Sequence, residues 1–202
     1  AYTATELIDL DAAIGVNKIS LSNKAQALTV DAGDVAALVT ALDNTGYKGN
    51  VTVTGATAID IDDLQALNKL TTGKITLNDA SLADTASYSE TAANLVEAFA
   101  GITGLKGDVT ISSAANTVTI AELKAINKAT SGEITVTNDQ TLSGSAKDLV
   151  EALKDVTLSA DSTVKVNGPV TLAQILDLQK SVPALTPEKV TITNIPDILD
   201  VN

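Results

Sequence analysis

Histidine, cysteine, arginine, methionine and tryptophan are all missing from this chain of 202 residues. Without cysteine there is neither a disulfide nor a thiolate metal site, and redox compartment leaves no mark. Without histidine, imidazole acid–base chemistry and histidine–metal sites are excluded. Lysine supplies all 13 basic residues, so arginine clamps on phosphate are excluded too. Aromatic residues make up only 2% against 45% hydrophobic residues, so the core is built from Ala, Val, Leu and Ile, which suits thin, regular layers. No apolar run approaches the roughly 18 residues of a membrane span, and the N-terminus lacks a signal-peptide pattern. A chain that begins at Ala1 and holds no Met is expected to be a processed product or an excised piece of a longer one. The net charge of -12 repels a phosphate backbone, which argues against nucleic-acid binding, and favours solubility in saline water.

What the chain does contain is repetition. Strand phrases V51-T-V-T-G-A, D108-V-T-I-S-S-A and S162-T-V-K-V-N-G alternate with K74-I-T-L-N-D, E133-I-T-V-T-N-D and K189-V-T-I-T-N. Two kinds of helical stretch precede them. In the first kind Val35, Leu38, Val39 and Leu42 recur at i, i+3, i+4 and i+7, as do Ala92, Leu95, Val96 and Phe99, and Ala146, Leu149, Val150 and Leu153. The second kind opens on a capping box at Thr3/Glu6, Asp60/Asp63, Thr119/Glu122 and Thr171/Gln174, with the short Asp63 the weakest. Seven strands are predicted, over 18–23, 50–55, 74–79, 108–113, 133–138, 163–167 and 189–194, each apolar on one face only. The expected architecture is α/β: a two-layer β/α solenoid with seven parallel strands on one side, helices on the other, and three double repeats. The whole of 1–202 reads as one repeat domain with approximate units 1–28, 29–85, 86–142 and 143–202. Lone leucines in the longer connections, Leu28, Leu82 and Leu142, are expected to plug the core edge. The prolines of P183-A-L-T-P and I195-P-D-I-L break the pattern as a terminal unit would.

Few residues invite a chemical role. Asn68 and Asn127 share one helix position, where an amide is expected to satisfy backbone groups of a neighbouring loop. Asp60, Asp62 and Asp63 form an acidic cluster with hard-cation chemistry, but their spacing fits no calcium loop and helix capping explains them. Asn78/Asp79 and Asn138/Asp139 follow strands and read as turn residues. The polar sheet face is expected to carry Ser20, Thr52, Thr76, Thr110, Thr135, Lys165 and Thr191 in one file. Ser22, Thr54, Asn78, Ser112, Thr137, Asn167 and Thr193 lie beside it, a Thr-rich array of the sort that binds ice and also one that strand propensity explains. No catalytic residue, cofactor or metal ligand is assigned.

The alternating helices and V-T-V-T or I-T-V-T strands, linked by T71-T-G-K-I-T and T130-S-G-E-I-T, resemble tandem repeats of virion appendages of marine cyanophages, of the horn or preknob type. They also resemble repeats of giant cyanobacterial cell-surface proteins. The resemblance spans most of residues 1–196. It implies a non-enzymatic structural element displayed on the virion exterior that assists host attachment, or alternatively a bacterial surface adhesin. The partners it implies are neighbouring repeats or appendage proteins of the same assembly and a host-surface receptor, with no nucleic acid and no membrane insertion.

Overall fold

The computed structural model describes residues 1–15, 19–55, 59–77, 88–103, 105–181 and 190–192. The described elements are α1 (Ala4–Ile14), β1 (Leu28–Asp31), a 3-10 turn (Ala32–Asp34), α2 (Val35–Leu42), β2 (Val51–Thr54), α3 (Ile61–Leu70) and β3 (Ile75–Leu77). They continue through β4 (Tyr88–Glu90), α4 (Ala92–Phe99), β5 (Ile102–Thr103), β6 (Val109–Ile111), α5 (Ile120–Ala129) and β7 (Ile134–Val136). Last come β8 (Thr141–Gly144), α6 (Ala146–Leu153), β9 (Val156–Thr157), β10 (Thr163–Val166), α7 (Leu172–Ser181) and β11 (Val190–Ile192). Two compact units result: Ala1–Tyr88 with Asn94–Asp108 and Ala129–Ser131, and Ser89–Ala93 with Val109–Lys128 and Gly132–Asn202.

The α/β class and the parallel pairing agree with the sequence pattern, but the strands do not form one layer of seven. The first unit holds a four-stranded sheet in the order β1-β2-β3-β5. The strands of the second unit make two sheets, β4-β6-β7-β9 and β11-β10-β8. The sequence reading undercounted because the longer connections contain strands of their own. Leu28 and Leu142, read as plugs, are core-facing residues of β1 and β8, buried beside Val30 and opposite Val164. β5 and β9 are only two residues long, too short to leave a periodic trace. Leu82 lies outside the described residues. The predicted strand at 18–23 is not one where it is described: Ile19 and Leu21 are buried and Ser20 is exposed, so the alternation survives without a ladder.

Pairing within each sheet is in register, so like residues stack. Leu28, Val51 and Ile75 align with Ile102, and Val30 and Val53 with Leu77. In the second unit Val109 aligns with Ile134 and Val156, and Leu142 with Val164 and Val190. Such aligned aliphatic files bury one face of each sheet, and removing them from water is the main driving term, ~25 cal/mol per Å² of apolar surface. The helices supply the facing layer. Val35, Leu38 and Leu42, then Leu95 and Phe99, then Leu149 and Leu153 are all buried as the spacing predicts. Ala41, Ala98 and Ala152 are buried as well, whereas Val39, Val96 and Val150 are only half-buried, so the stripe is centred slightly off the predicted line.

Helix starts follow local chemistry. Thr3 and Glu6, Thr119 and Glu122, and Thr171 and Gln174 each exchange the reciprocal bonds of a capping box. Asp60 caps differently: its Oδ1 accepts from the Asp62 amide at 2.8 Å, and Asp63 does not take part in that bond. Burial, then Asp60 and Asp62, push the Asp63 carboxyl above its ordinary value.

Candidate functional site

The recurring polar residues bond to the backbone of the repeat about 22 residues before them. Thr71 and Thr130 hold the same repeat position, and each donates its buried hydroxyl to a glycine carbonyl of the preceding layer: Thr71 to Gly49 at 2.7 Å, Thr130 to Gly107 at 2.8 Å. Gly73 packs directly on Gly49, where a Cβ would overlap the Gly49 carbonyl and lie 2.8 Å from the Asn50 nitrogen. This gives a physical reason for the T-x-G phrase that links helix to strand: the loops of adjacent layers touch backbone to backbone. Tyr47 closes the same column, donating to the carbonyls of Gln26 (2.8 Å) and Asn50 (3.0 Å). In the second unit Gln140, 1% exposed, accepts from the Val118 amide and donates to the carbonyls of Ala114 and Asn138. Its own amide donates to the buried Ser162 hydroxyl.

Asn68 and Asn127 do satisfy backbone carbonyls, but those of a helix end rather than a loop. Asn68 donates to Glu97 and Ala98 at the last turn of α4, at 3.1 and 2.6 Å, and Asn127 donates to Lys154, the C-cap of α6. These are orphan carbonyls that a helix leaves unpaired. The same seam holds Gln65, which donates to the Asn94 carbonyl at 2.9 Å, and the ion pair Lys69–Glu97 at 3.3 Å. In the second unit Lys124 pairs with Asp148 (3.0 Å) and Glu151 (2.6 Å). The bonds to Glu151 and Asp148 raise the Lys124 ammonium above its ordinary value. Lys124 in turn lowers Glu151, while Asp148 is lowered first by the Ser145 hydroxyl and then by Lys124. An open groove of about 300 Å³ runs along this seam, lined by Lys124, Asn127, Lys128 and Glu151.

The other sequence candidates do not converge. Among the described residues no group of three or more acidic side chains is arranged to hold a metal ion. Asn138 donates to Ser113 of the preceding layer, and Asp139 accepts from Ser159; Asn78 and Asp79 lie outside the described residues. The single polar file is divided among the sheets. Thr29, Thr52, Thr76 and Thr103 align in the first sheet, Thr110, Thr135 and Thr157 in the second, and Ser143, Lys165 and Thr191 in the third. Ser20 belongs to none of them, and Thr193 is outside the described residues. In the neighbouring file Thr54 stands opposite Asp31. Thr52 and Thr76 in the first sheet and Thr110 and Thr135 in the second are half-exposed. No helix among the described residues is long and apolar enough to cross a membrane. Comparison of the chain with family models, with curated proteins and with solved structures gave no match.

Proposed function

We propose that each unit is a short run of β/α solenoid layers, and that the chain is a non-enzymatic structural repeat module of a phage virion appendage that assists host attachment. The observation carrying this reading is the in-register stacking of sequence-related layers, with polar side chains spent on joining one layer to the next. Layers of that kind make an extended scaffold whose stability accumulates from nearest-neighbour contacts. The likeness of the repeat phrases to cyanophage appendage repeats supports the external location. Immunogold electron microscopy with an antibody against the chain tests it. Label is expected on an appendage of purified marine cyanophage virions. Label on the envelope of uninfected cyanobacteria, with bare virions, makes the chain a bacterial surface adhesin instead.

The Thr29–Thr52–Thr76 file favours a second reading, ice binding on the polar sheet face. Thermal hysteresis in a solution of the purified chain, lost on Thr52→Lys, would support it.

A further inference from the structure

Asn167 is the only asparagine of the chain that a glycine follows. Every other asparagine with a residue after it precedes one that bears a side chain, among them the β-branched Thr45, Val51 and Thr117 after Asn44, Asn50 and Asn116. The difference matters because the backbone nitrogen after an asparagine can attack the carbonyl carbon of that side chain, and a Cβ on the attacking residue crowds the approach. Glycine has none.

The local structure leaves this pair open to react. Asn167 is exposed just past the end of β10, and Gly168 forms a bend outside any strand at φ +81°. A Cβ built on Gly168 would meet nothing within 4 Å, and none of the described hydrogen bonds uses the Gly168 amide. The asparagine side chain, by contrast, is held. Its Nδ2 donates to Ser143 Oγ of β8 at 2.9 Å, while its backbone amide donates to the Gly144 carbonyl at 2.8 Å. Ring closure swings Cγ over the Gly168 nitrogen, a rotation that the bond to Ser143 resists.

We propose that Asn167–Gly168 is a self-modification site at which the folded chain forms a succinimide, with Ser143 as its restraint. The Gly168 nitrogen bonds to Cγ of Asn167, the Cγ–Nδ2 bond breaks, and the side-chain nitrogen leaves as ammonia with the proton that Gly168 gives up. Water then opens the ring. Opening at Cγ leaves aspartate, whereas opening at the main-chain carbonyl leaves isoaspartate, in which the side-chain methylene has become part of the backbone. Either product adds one negative charge to a chain already at -12. Isoaspartate also lengthens the path from β10 to the buried Val170 and to the Thr171–Gln174 capping box that starts α7. The site is a slow, irreversible change placed at one strand end.

The test incubates the 202-residue chain in mildly alkaline buffer and digests it with trypsin at intervals. The peptide of residues 166–180, released at Lys165 and Lys180, contains Asn167 and no other asparagine. Its mass is expected to rise by the difference between OH and NH2 before any other asparagine converts. Isoaspartyl methyltransferase with S-adenosylmethionine is expected to methylate part of the product. A urea-unfolded sample shows that the reaction can be read. Gly168→Ala is expected to suppress the conversion, and Ser143→Ala to speed it roughly two- to tenfold, the equivalent of one net hydrogen bond. Circular dichroism checks that both variants fold; if Gly168→Ala does not, because of its positive φ, Ser143→Ala carries the comparison. Conversion in urea alone, or earlier conversion at another asparagine, overturns the site. An equal rate in Ser143→Ala overturns the restraint.

Discussion

Replacing Gly73 by alanine adds one methyl group at a close backbone approach in the first unit. Gly73 is not in the left-handed region, so alanine is compatible with its backbone and the cost is steric. The new Cβ would overlap the Gly49 carbonyl and sit 2.8 Å from the Asn50 nitrogen, against an ordinary contact of about 3.5 Å. The loops must therefore part by more than about half an ångström. That movement strains Thr71 to Gly49 (2.7 Å), Lys74 to the Asn50 side chain (2.9 Å) and the first ladder bond, Val51 to Lys74 (3.0 Å). Overpacking costs about 1–3 kcal/mol. Each weakened hydrogen bond adds up to about 1 kcal/mol, and the reduced entropy of the unfolded chain returns about 0.4–1 kcal/mol. The net expectation is a loss of about 2–4 kcal/mol, or ~1–2 M in urea midpoint at a slope of ~2 kcal/mol/M. Urea unfolding followed by far-ultraviolet circular dichroism measures it. Gly33→Ala is the control: its nearest neighbour would be Asp31 Oδ1 at 3.5 Å, and it is expected to change stability by less than about 0.5 kcal/mol. Equal midpoints for the two variants would refute the backbone contact between layers.

Other substitutions probe burial, polarity and charge. Tyr88 is 2% exposed, stacks edge-on to Phe99 at 5.5 Å, and its hydroxyl has no hydrogen-bond partner among the described residues; burial pushes its phenol up to about 12. Tyr88→Phe is therefore expected to raise stability by about 1 kcal/mol, and a loss in the same urea assay would mean that the hydroxyl is satisfied. Leu10 and Leu67 hold one repeat position, 45% and 0% exposed, so Leu67→Ala should cost about 3 kcal/mol and Leu10→Ala about 1 kcal/mol or less. Asp148 and Glu151 are lowered from ordinary values of 3.8 and 4.5, so their contribution is present above pH 4.5 and is lost as pH falls through the lowered folded values. Glu151→Gln should flatten that acid limb in melting temperature against pH, and an unchanged limb would show that the Lys124 pair contributes nothing to it.

Legibility followed the length of each signal. Val51-Thr-Val-Thr and the apolar spacing from Ala146 to Leu153 declare their structure because several residues repeat one period. β8, Thr-Leu-Ser-Gly, carries one buried leucine and ends in glycine, so nothing in it separates a strand from a loop until Val164 is seen alongside. Thr3, Thr119 and Thr171 declared their caps because both partners lie within four residues. Tyr47 gave no sign of its role, since Gln26 lies 21 residues away across a layer boundary. Asn68 and Asn127 were visible as a recurrence, but the carbonyls they meet depend on which helix follows. The exposed Leu176 of α7 could have been found by aligning Asp60, Thr119 and Thr171, because Gln65 and Lys124 become Leu176 where a polar seam would be expected.

That variation at one position answers a problem inherent in repeats. Nearly identical layers with in-register ladders can pair wrongly, since Val51, Val109 and Val164 would accept one another's partners equally well. The sheet face therefore cannot tell layers apart, and neither can the alanine and leucine stripe of the helices. The seam after each capping-box helix can. Gln65 needs the carbonyl of Asn94, a neutral partner, whereas Lys124 needs the two carboxylates of Asp148 and Glu151. Seating α6 on α3 would leave Asp148 without the cation it holds, and seating α4 on α5 would put Asn94 where Asp148 receives Lys124. Each pair is too exposed to add much stability. Its value is in the difference between right and wrong neighbours, which selects the order of layers that the apolar core leaves open.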